Sequence, residues 1–286
     1  MLATWISIVI SGLIMGTIYA LLAGGLTLIW GVMRIVNLAH GEFLMLGAFA
    51  TYFLFQPLGG NPLITIPLTS PIFFIVGALL YLVIIKRILG APELMSLLLT
   101  FGISIFIINT GIIVWSAEYR TVEYVTGSLD IFGVMISRPR LIAGTLAVCI
   151  SLSMYWFLQR TRIGTAIRAV SYDREIAEQC GINTNTIYII VFGFGTVLAS
   201  AAGSLASTIF AFNPLVGQHF ILKAFAVTVL GGMGNFLGAL IAGLIIGVVE
   251  SLAAYFIDVH LSAAVAFVII IITLLIRPSG IMGEKQ

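Results

Sequence analysis

The sequence predicts an all-α, polytopic membrane protein, and three observations carry that prediction. Of its 286 residues, 60% are hydrophobic and 8% charged, where a soluble domain carries about 25% charged residues. Residues 1–33, 43–85, 94–117, 141–159, 179–222 and 224–249 form six stretches without Asp, Glu, Lys or Arg. About 20 apolar residues make one helical crossing, so the second and fifth stretches can each hold more than one. Alternation of apolar and polar residues at period two is absent, which argues against an outer-membrane barrel. Mean hydropathy, at +1.18, agrees.

The same composition excludes other classes. A net charge of +2, with no basic patch interleaved by aromatics, gives no footprint for nucleic acid; membrane lipid is the expected environment. Cys149 falls in an apolar span and Cys180 in a polar segment, so no disulfide is expected between them, and no metal-ligand spacing or cofactor motif occurs. The N-terminus has no basic region ahead of its apolar run, so it reads as a first span rather than a cleaved signal peptide.

The first helix is expected over about 5–29. Gly12, Gly16, Ala20 and Gly24 recur every fourth residue and form a small-residue stripe. Such a stripe lets helices approach closely in lipid; a smooth wall of a translocation path is the alternative. Arg34, Asn37, His40 and Glu42 then fall within nine residues between two apolar runs. Polar groups at membrane depth are costly and mark function or internal pairing. Gly41 permits a sharp turn or a half-helix there, and Arg34 could pair with Glu42.

Spans follow near 41–55 and 63–85, joined by a Pro/Gly-rich turn and closed by Lys86-Arg87. The fourth span, about 94–114, carries Asn109, expected in an interhelical hydrogen bond. A polar loop is expected over 116–140, and the fifth span over 141–158. Residues 159–185 are the longest polar insertion in the chain, with Arg160, Arg162, Arg168 and Arg174 beside Asp173, Glu175 and Glu178. Within it, 173–179 reads as a two-turn helix with Asp173 as N-cap and Gly181 as its stop. Ile176 and Ala177 are placed to pack, and Arg174, Glu175 and Glu178 to face water.

A sixth span, 186–210, repeats the stripe with Gly195, Ala199, Gly203 and Ser207. Asn213-Pro214 marks a turn. Residues 220–230 make a short or broken crossing that ends in Gly231-Gly232-Met233-Gly234-Asn235. A Gly-rich string with no preceding strand and no downstream acid reads as a tight turn rather than a nucleotide loop. Span 236–256 has Gly243 and Gly247 spaced for packing and Glu250 near its end, expected at the interface. A loop is expected at 258–260, and the last span at 263–276. Placing the insertion in the cytoplasm puts nine basic residues inside (Arg34, Lys86, Arg87, Arg160, Arg162, Arg168, Arg174, Arg277, Lys285) against four outside (Arg120, Arg138, Arg140, Lys223). The N-terminus is then outside, and the count is eight to nine transmembrane helices.

The run Gly31 to Ala48, GVMRIVNLAHGEFLMLGA, closely resembles the motif after the first helix of branched-chain amino-acid ABC transporter permeases of the LivH type. That family also includes urea and amide permeases. Arg168-Ala-Val-x-x-Asp173-x-Glu175-x-Ala177-x-x-x-Gly181-Ile-Asn is similar to the coupling segment that docks on the ATPase in ABC permeases. Leu230-Gly-Gly-Met-Gly and the ending Arg277-Pro-Ser-Gly-Ile-Met-Gly283 resemble family hallmarks as well. The resemblance covers essentially the whole chain. It implies one transmembrane permease domain over 1–286, with 159–185 as a cytoplasmic coupling segment, in the cytoplasmic (inner) membrane of a bacterium or archaeon. Its implied partners are ATP-binding cassette ATPase subunits, a second, paralogous permease subunit and an extracytoplasmic solute-binding protein. The implied function is import of branched-chain or other hydrophobic amino acids, with urea or short amides as alternatives.

The chain itself is expected to be non-catalytic. None of Lys86, Lys223 and Lys285 follows a glycine, so no Walker A loop exists, and no Ser/His/Asp or metal constellation stands out. Arg168, Asp173, Glu175, Ala177 and Gly181 are the coupling candidates. Asn37, His40, Gly41, Glu42, Gly231, Gly232 and Gly234 are the candidates for the path or its gate. A self-powered secondary transporter or channel is the second reading, with His40, Glu42 and Glu250 as its ion-coupling candidates.

Overall fold

Charge-free apolar runs can only satisfy their backbone inside a membrane by forming helices. In the computed structural model, which describes residues 2–58, 62–131 and 134–283, they do so. The helices are α1 Leu2–Met33, α2 His40–Leu58, α3 Thr65–Val83, α4 Glu93–Trp115, α5 Arg138–Arg160, α6 Arg162–Tyr172, α7 Arg174–Gln179, α8 Thr184–Ser207, α9 Val216–Gly231, α10 Phe236–Phe256 and α11 Val259–Ile276. Six of them, within α1, α3, α4, α5, α8 and α10, are long and apolar enough to cross a bilayer, and α9 and α11 are shorter apolar helices. The turn expected at Gly59-Gly60-Asn61 lies outside the described residues.

Three features differ from the sequence expectation. The loop over 116–140 contains a hairpin, β1 Ser128–Ile131 antiparallel to β2 Val134–Ser137, with Ser128 opposite Ser137. Its alternating residues and Gly127 at φ +103 suit a short hairpin, which sits outside the apolar runs. Only Ile257 and Asp258 separate α10 from α11, so the expected loop at 258–260 is shorter. Asn109 donates to the Ile105 carbonyl at 2.8 Å on its own helix and is exposed, not engaged between helices.

The small-residue stripes pack helices and do not line an open path. A Cβ at Gly12 would lie 2.7 Å from the Val248 Cα, and one at Gly16 would lie 2.6 Å from the Gly243 carbonyl. One at Gly24 would lie 2.8 Å from the Phe236 ring, so α1 and α10 run antiparallel along one seam. Dispersion between backbones is what holds helices together where lipid is as apolar as leucine. The α8 stripe does the same work. A Cβ at Gly195 would lie 2.6 Å from the Ile29 side chain, and one at Gly203 would run into the Leu44 carbonyl of α2. With 18 of its residues buried, α8 is the central post of the bundle.

On the side away from α6 and α7, Phe49 stacks on Trp115 at 4.3 Å and meets Phe212 edge-on at 5.1 Å. Arg120 covers the Tyr52 ring at 5.0 Å, and its backbone pairs with that of Phe212 at 2.8 and 2.9 Å. This aromatic cap ties the ends of α2, α4 and α8 together.

Candidate functional site

Two places concentrate the polar groups that the apolar bundle cannot hide: a break between α1 and α2, and the segment between α5 and α8.

At the break the chain reverses at Arg34, one of two non-glycine residues with positive φ (+56°) among the described residues. Its guanidinium lies 4.8 Å from the Trp30 ring centre. Residues 34–37 form neither helix nor strand, and α2 begins at His40. His40 Nε2 donates to the Leu22 carbonyl at 3.1 Å, and its ring also touches Gly25. With a rise of 1.5 Å per residue, Leu22 and Gly25 lie about 16 and 12 Å from the Met33 end of α1. The start of α2 is therefore deep in the bilayer, and the return segment crosses hydrocarbon without helical hydrogen bonds.

Such backbone survives only where protein satisfies it, and α4 does so. Ser96 Oγ accepts from Val36 N at 3.3 Å, and Thr100 Oγ1 accepts from Leu38 N at 3.1 Å. The Thr100 hydroxyl also lies 3.1 Å from the Val36 carbonyl. The i, i+4 spacing of Ser96 and Thr100 on a helix, about 6 Å, matches the two-residue spacing of an extended strand. Ser104, one turn further, donates to Glu42 Oε1 at 2.9 Å.

Asn37, His40 and Glu42 are all fully buried. Both side-chain polar atoms of Asn37, Nδ1 of His40 and Oε2 of Glu42 have no partner among the described residues. Gly41 is helical rather than a turn: a Cβ there would meet the Gly217 backbone and lie 2.9 Å from Ile221 Cβ, so it serves the close approach of α9. Arg34 and Glu42 do not pair; the ion pairs among the described residues are Arg174–Glu178 and Lys223–Glu250.

The Gly231-Gly232-Met-Gly234 turn lies elsewhere. Gly232 (φ +101) and Gly234 (φ +90) need left-handed backbone. A Cβ on Gly232 would collide with Gly283 and with Ser279, and one on Gly234 would lie 3.2 Å from the Gly31 Cα. Ile281 N donates to the Leu230 carbonyl at 2.8 Å, and Asn235 Nδ2 to the Met282 carbonyl at 2.9 Å. The turn locks the ends of α1, α9 and α10 to the tail 277–283.

Between α5 and α8 there are two helices, where the sequence reading expected one. Thr161 caps α6, its hydroxyl accepting from Gly164 N at 2.9 Å, and Gly164, Ile167 and Val170 form the buried face. Arg168 folds back to the Leu158 carbonyl at the end of α5, so it fastens α6 to α5. Asp173 ends α6 and caps α7, its Oδ1 accepting from Ile176 N at 3.0 Å. Gly181, at φ +83, closes α7. Its N–H reaches the Glu178 carbonyl at 3.0 Å, and Ile182 N reaches the Ala177 carbonyl at 3.0 Å, a Schellman arrangement.

Arg174 pairs with Glu178 at 3.0 Å, and Glu178 accepts from Thr184 Oγ1 at 2.7 Å, which ties α7 to the first turn of α8. The Thr184 hydroxyl first, and Arg174 second, hold the Glu178 carboxyl below its usual range. Ala177 is buried as expected, but Ile176 is 58% exposed, and Tyr172 is 84% exposed. Ile176 points outward because the two-turn helix has room for only one buried position against α6 and α8. The exposed carboxylate Glu175 shares that outward surface.

A third cluster was not legible as a unit. Lys223 was placed outside the membrane and Glu250 at its interface, yet Lys223 Nζ donates to Glu250 Oε1 at 2.5 Å and to Tyr19 Oη at 2.9 Å. Glu250 lies six residues before the end of α10, about 9 Å below it. The available signal was one acid and one base in neighbouring apolar runs, but pairing them required knowing that α9 and α10 lie side by side.

The family model for the permease component of branched-chain amino acid transport systems matches residues 8–274. The chain is 30% identical to the high-affinity branched-chain amino acid transport system permease protein BraD of Pseudomonas aeruginosa, over 97% of this chain and 95% of that protein. It is 30% identical to LivH of Escherichia coli, over 96% and 94% respectively. It is also 28% identical to the probable LivH of Methanocaldococcus jannaschii, over 95% and 90%. No solved structure matches.

Proposed function

The chain belongs to the family of branched-chain amino acid transport permeases, and from that membership we infer the import of branched-chain amino acids through a bundle driven from outside itself. It is a multi-pass inner-membrane permease subunit of an ABC importer, and such permeases work with ATPase and further subunits. The finer reading is that residues 1–286 form one permease domain and that α6 and α7 are its cytoplasmic handle. Two ATPase subunits, a second, paralogous permease and an extracytoplasmic solute-binding protein complete the assembly. This chain supplies no catalytic group of its own.

One observation carries the reading: the pair α6 and α7, with α7 capped at both ends, exposes Tyr172 and Ile176 while Arg168 fastens α6 to α5 and Glu178 fastens α7 to α8. Exposed apolar side chains on a rigid polar surface fit a protein partner. Force applied there reaches α5 and the central post α8 together. Because a ligand without differential affinity for two states shifts nothing, the work must enter through such a contact. Asn37, His40 and Glu42, beside the α2 break, brace the gate that this work moves.

The test uses the complete transporter in proteoliposomes. Ile176→Asp should lower ATP-driven leucine uptake about tenfold or more with insertion intact, because an unpartnered polar group buried at a contact costs about 1–3 kcal/mol. Uptake equal to the unmodified complex would remove the handle assignment. ATP-independent uptake by the isolated subunit would remove the importer reading.

A further inference from the structure

We propose that Lys223 and Glu250, steadied by Tyr19, form a charge-paired site on the translocation path that takes the α-carboxylate and α-ammonium groups of a zwitterionic substrate. The proposal rests on the amino-acid reading above and narrows it, since urea and short amides carry no such charges.

Depth is the first argument. Gly12 of α1 faces Val248 and Gly16 faces Gly243, so Glu250 lies along the half of α1 away from Met33, six residues short of the end of α10, and the Tyr19 side chain reaches the Lys223 ammonium that Glu250 holds. The pair therefore sits in the half of the bilayer away from the handle, below the surface. Ionisable groups at that depth are expensive, and they mark solute pathways by default.

The surroundings are the second argument. The 16-residue helix α9, about 24 Å long, falls short of the roughly 30 Å hydrocarbon layer. Its exposed flank carries Gln218 and His219, between exposed Leu215 and Leu222, next to half-buried Lys223. The exposed faces of α3 and α4 instead carry Ile72, Ile75, Leu79, Phe101, Ile105 and Phe106. Those faces suit lipid, whereas the α9 flank suits a water-filled passage.

The third argument is unfilled bonding capacity. Glu250 Oε1 takes the lysine, but Oε2 has no partner among the described residues. Lys223 Nζ lies 4.9 Å from the Tyr19 ring centre and 5.9 Å from that of Phe220, so the ammonium is held on aromatic faces while one of its three donors remains available. A zwitterion arriving between the two exchanges one ion pair for two and leaves the net charge unchanged. An uncharged amide gains nothing comparable.

The experiment is ATP-driven L-leucine uptake by the reconstituted transporter carrying Lys223→Met, Glu250→Gln, or the exchange Lys223→Glu with Glu250→Lys. Each single variant should lower uptake about tenfold or more through loss of a charge-assisted contact. The exchanged pair should stay impaired, because the substrate's charges then face the wrong partners. Restoration by the exchange would make the pair a mutual brace and overturn the proposal, as would single variants with unaltered uptake.

A second measurement covers variants that fail to assemble. With Cys149 and Cys180 replaced by serine, His219→Cys should react with a water-soluble thiol reagent and be protected by L-leucine. A cysteine that never reacts, or reacts equally with and without L-leucine, overturns the proposal. No leucine uptake by the unmodified complex would instead strike the amino-acid reading itself.

Discussion

His40 Nε2 donates to the carbonyl of Leu22, 11 residues back from the end of α1, and so fixes the start of α2 in the interior of the bilayer. A carbonyl only accepts, so Nε2 carries the proton of this bond, while Nδ1 has no partner among the described residues. The bond makes α2 a half-helix entered through the non-helical segment after Arg34.

That segment depends on α4 hydroxyls. Thr100→Val should destabilise the purified protein by about 1–3 kcal/mol, because Leu38 N is left buried without a partner. Thr100→Ser should recover most of the loss. Thermal unfolding in detergent checks both, and equal midpoints for the valine and serine variants would count against this role.

The crossing of α2 and α8 is a backbone contact. Gly203→Ala would drive its Cβ into the Leu44 carbonyl and should cost about 1–3 kcal/mol through overpacking. Gly102→Ala, with nothing within 4 Å, should be neutral or slightly stabilising. Side-by-side unfolding midpoints decide it.

The handle's two caps can be removed separately. Asp173→Ala should cost about 0.5–2 kcal/mol in local stability by freeing the Ile176 N–H. Gly181→Ala should cost about 1–2 kcal/mol by forcing a side chain into left-handed backbone. Hydrogen exchange of the α7 amides should accelerate in both, with little change in α8.

Glu178 sets a pH dependence with a definite sign. Its carboxyl is held below the ordinary 4.5 by Thr184 and then Arg174, so the folded state binds that proton less tightly than the unfolded chain. The stabilisation is complete above pH 4.5 and is lost as pH falls through the lower folded value. The attachment of α7 to α8 should loosen there, and Thr184→Val should move that loosening to higher pH. Exchange rates measured between neutral pH and strong acid follow it.

Much of this was legible along the chain. The period-four glycines announced close packing, and Gly12, Gly16 and Gly24 find it on α10. Asp173 and Gly181 announced a capped helix, since caps are local bonds spanning three to five residues. The helix α6 went unread because its buried face is only Gly164, Ile167 and Val170, set among arginines that suggest a solvated loop.

By itself the sequence determined that this protein lives in a membrane, as helices, with one long charged segment between two of them. Those properties follow from transfer free energies and short-range hydrogen bonds, which depend on neighbours in the chain. Only the tertiary structure decided that α2 starts at depth, that Ser96 and Thr100 serve the backbone of residues 36–38, and that Lys223 faces Glu250. Each of those facts joins residues from 18 to 64 positions apart, where a side chain's partner is chosen by how whole helices pack.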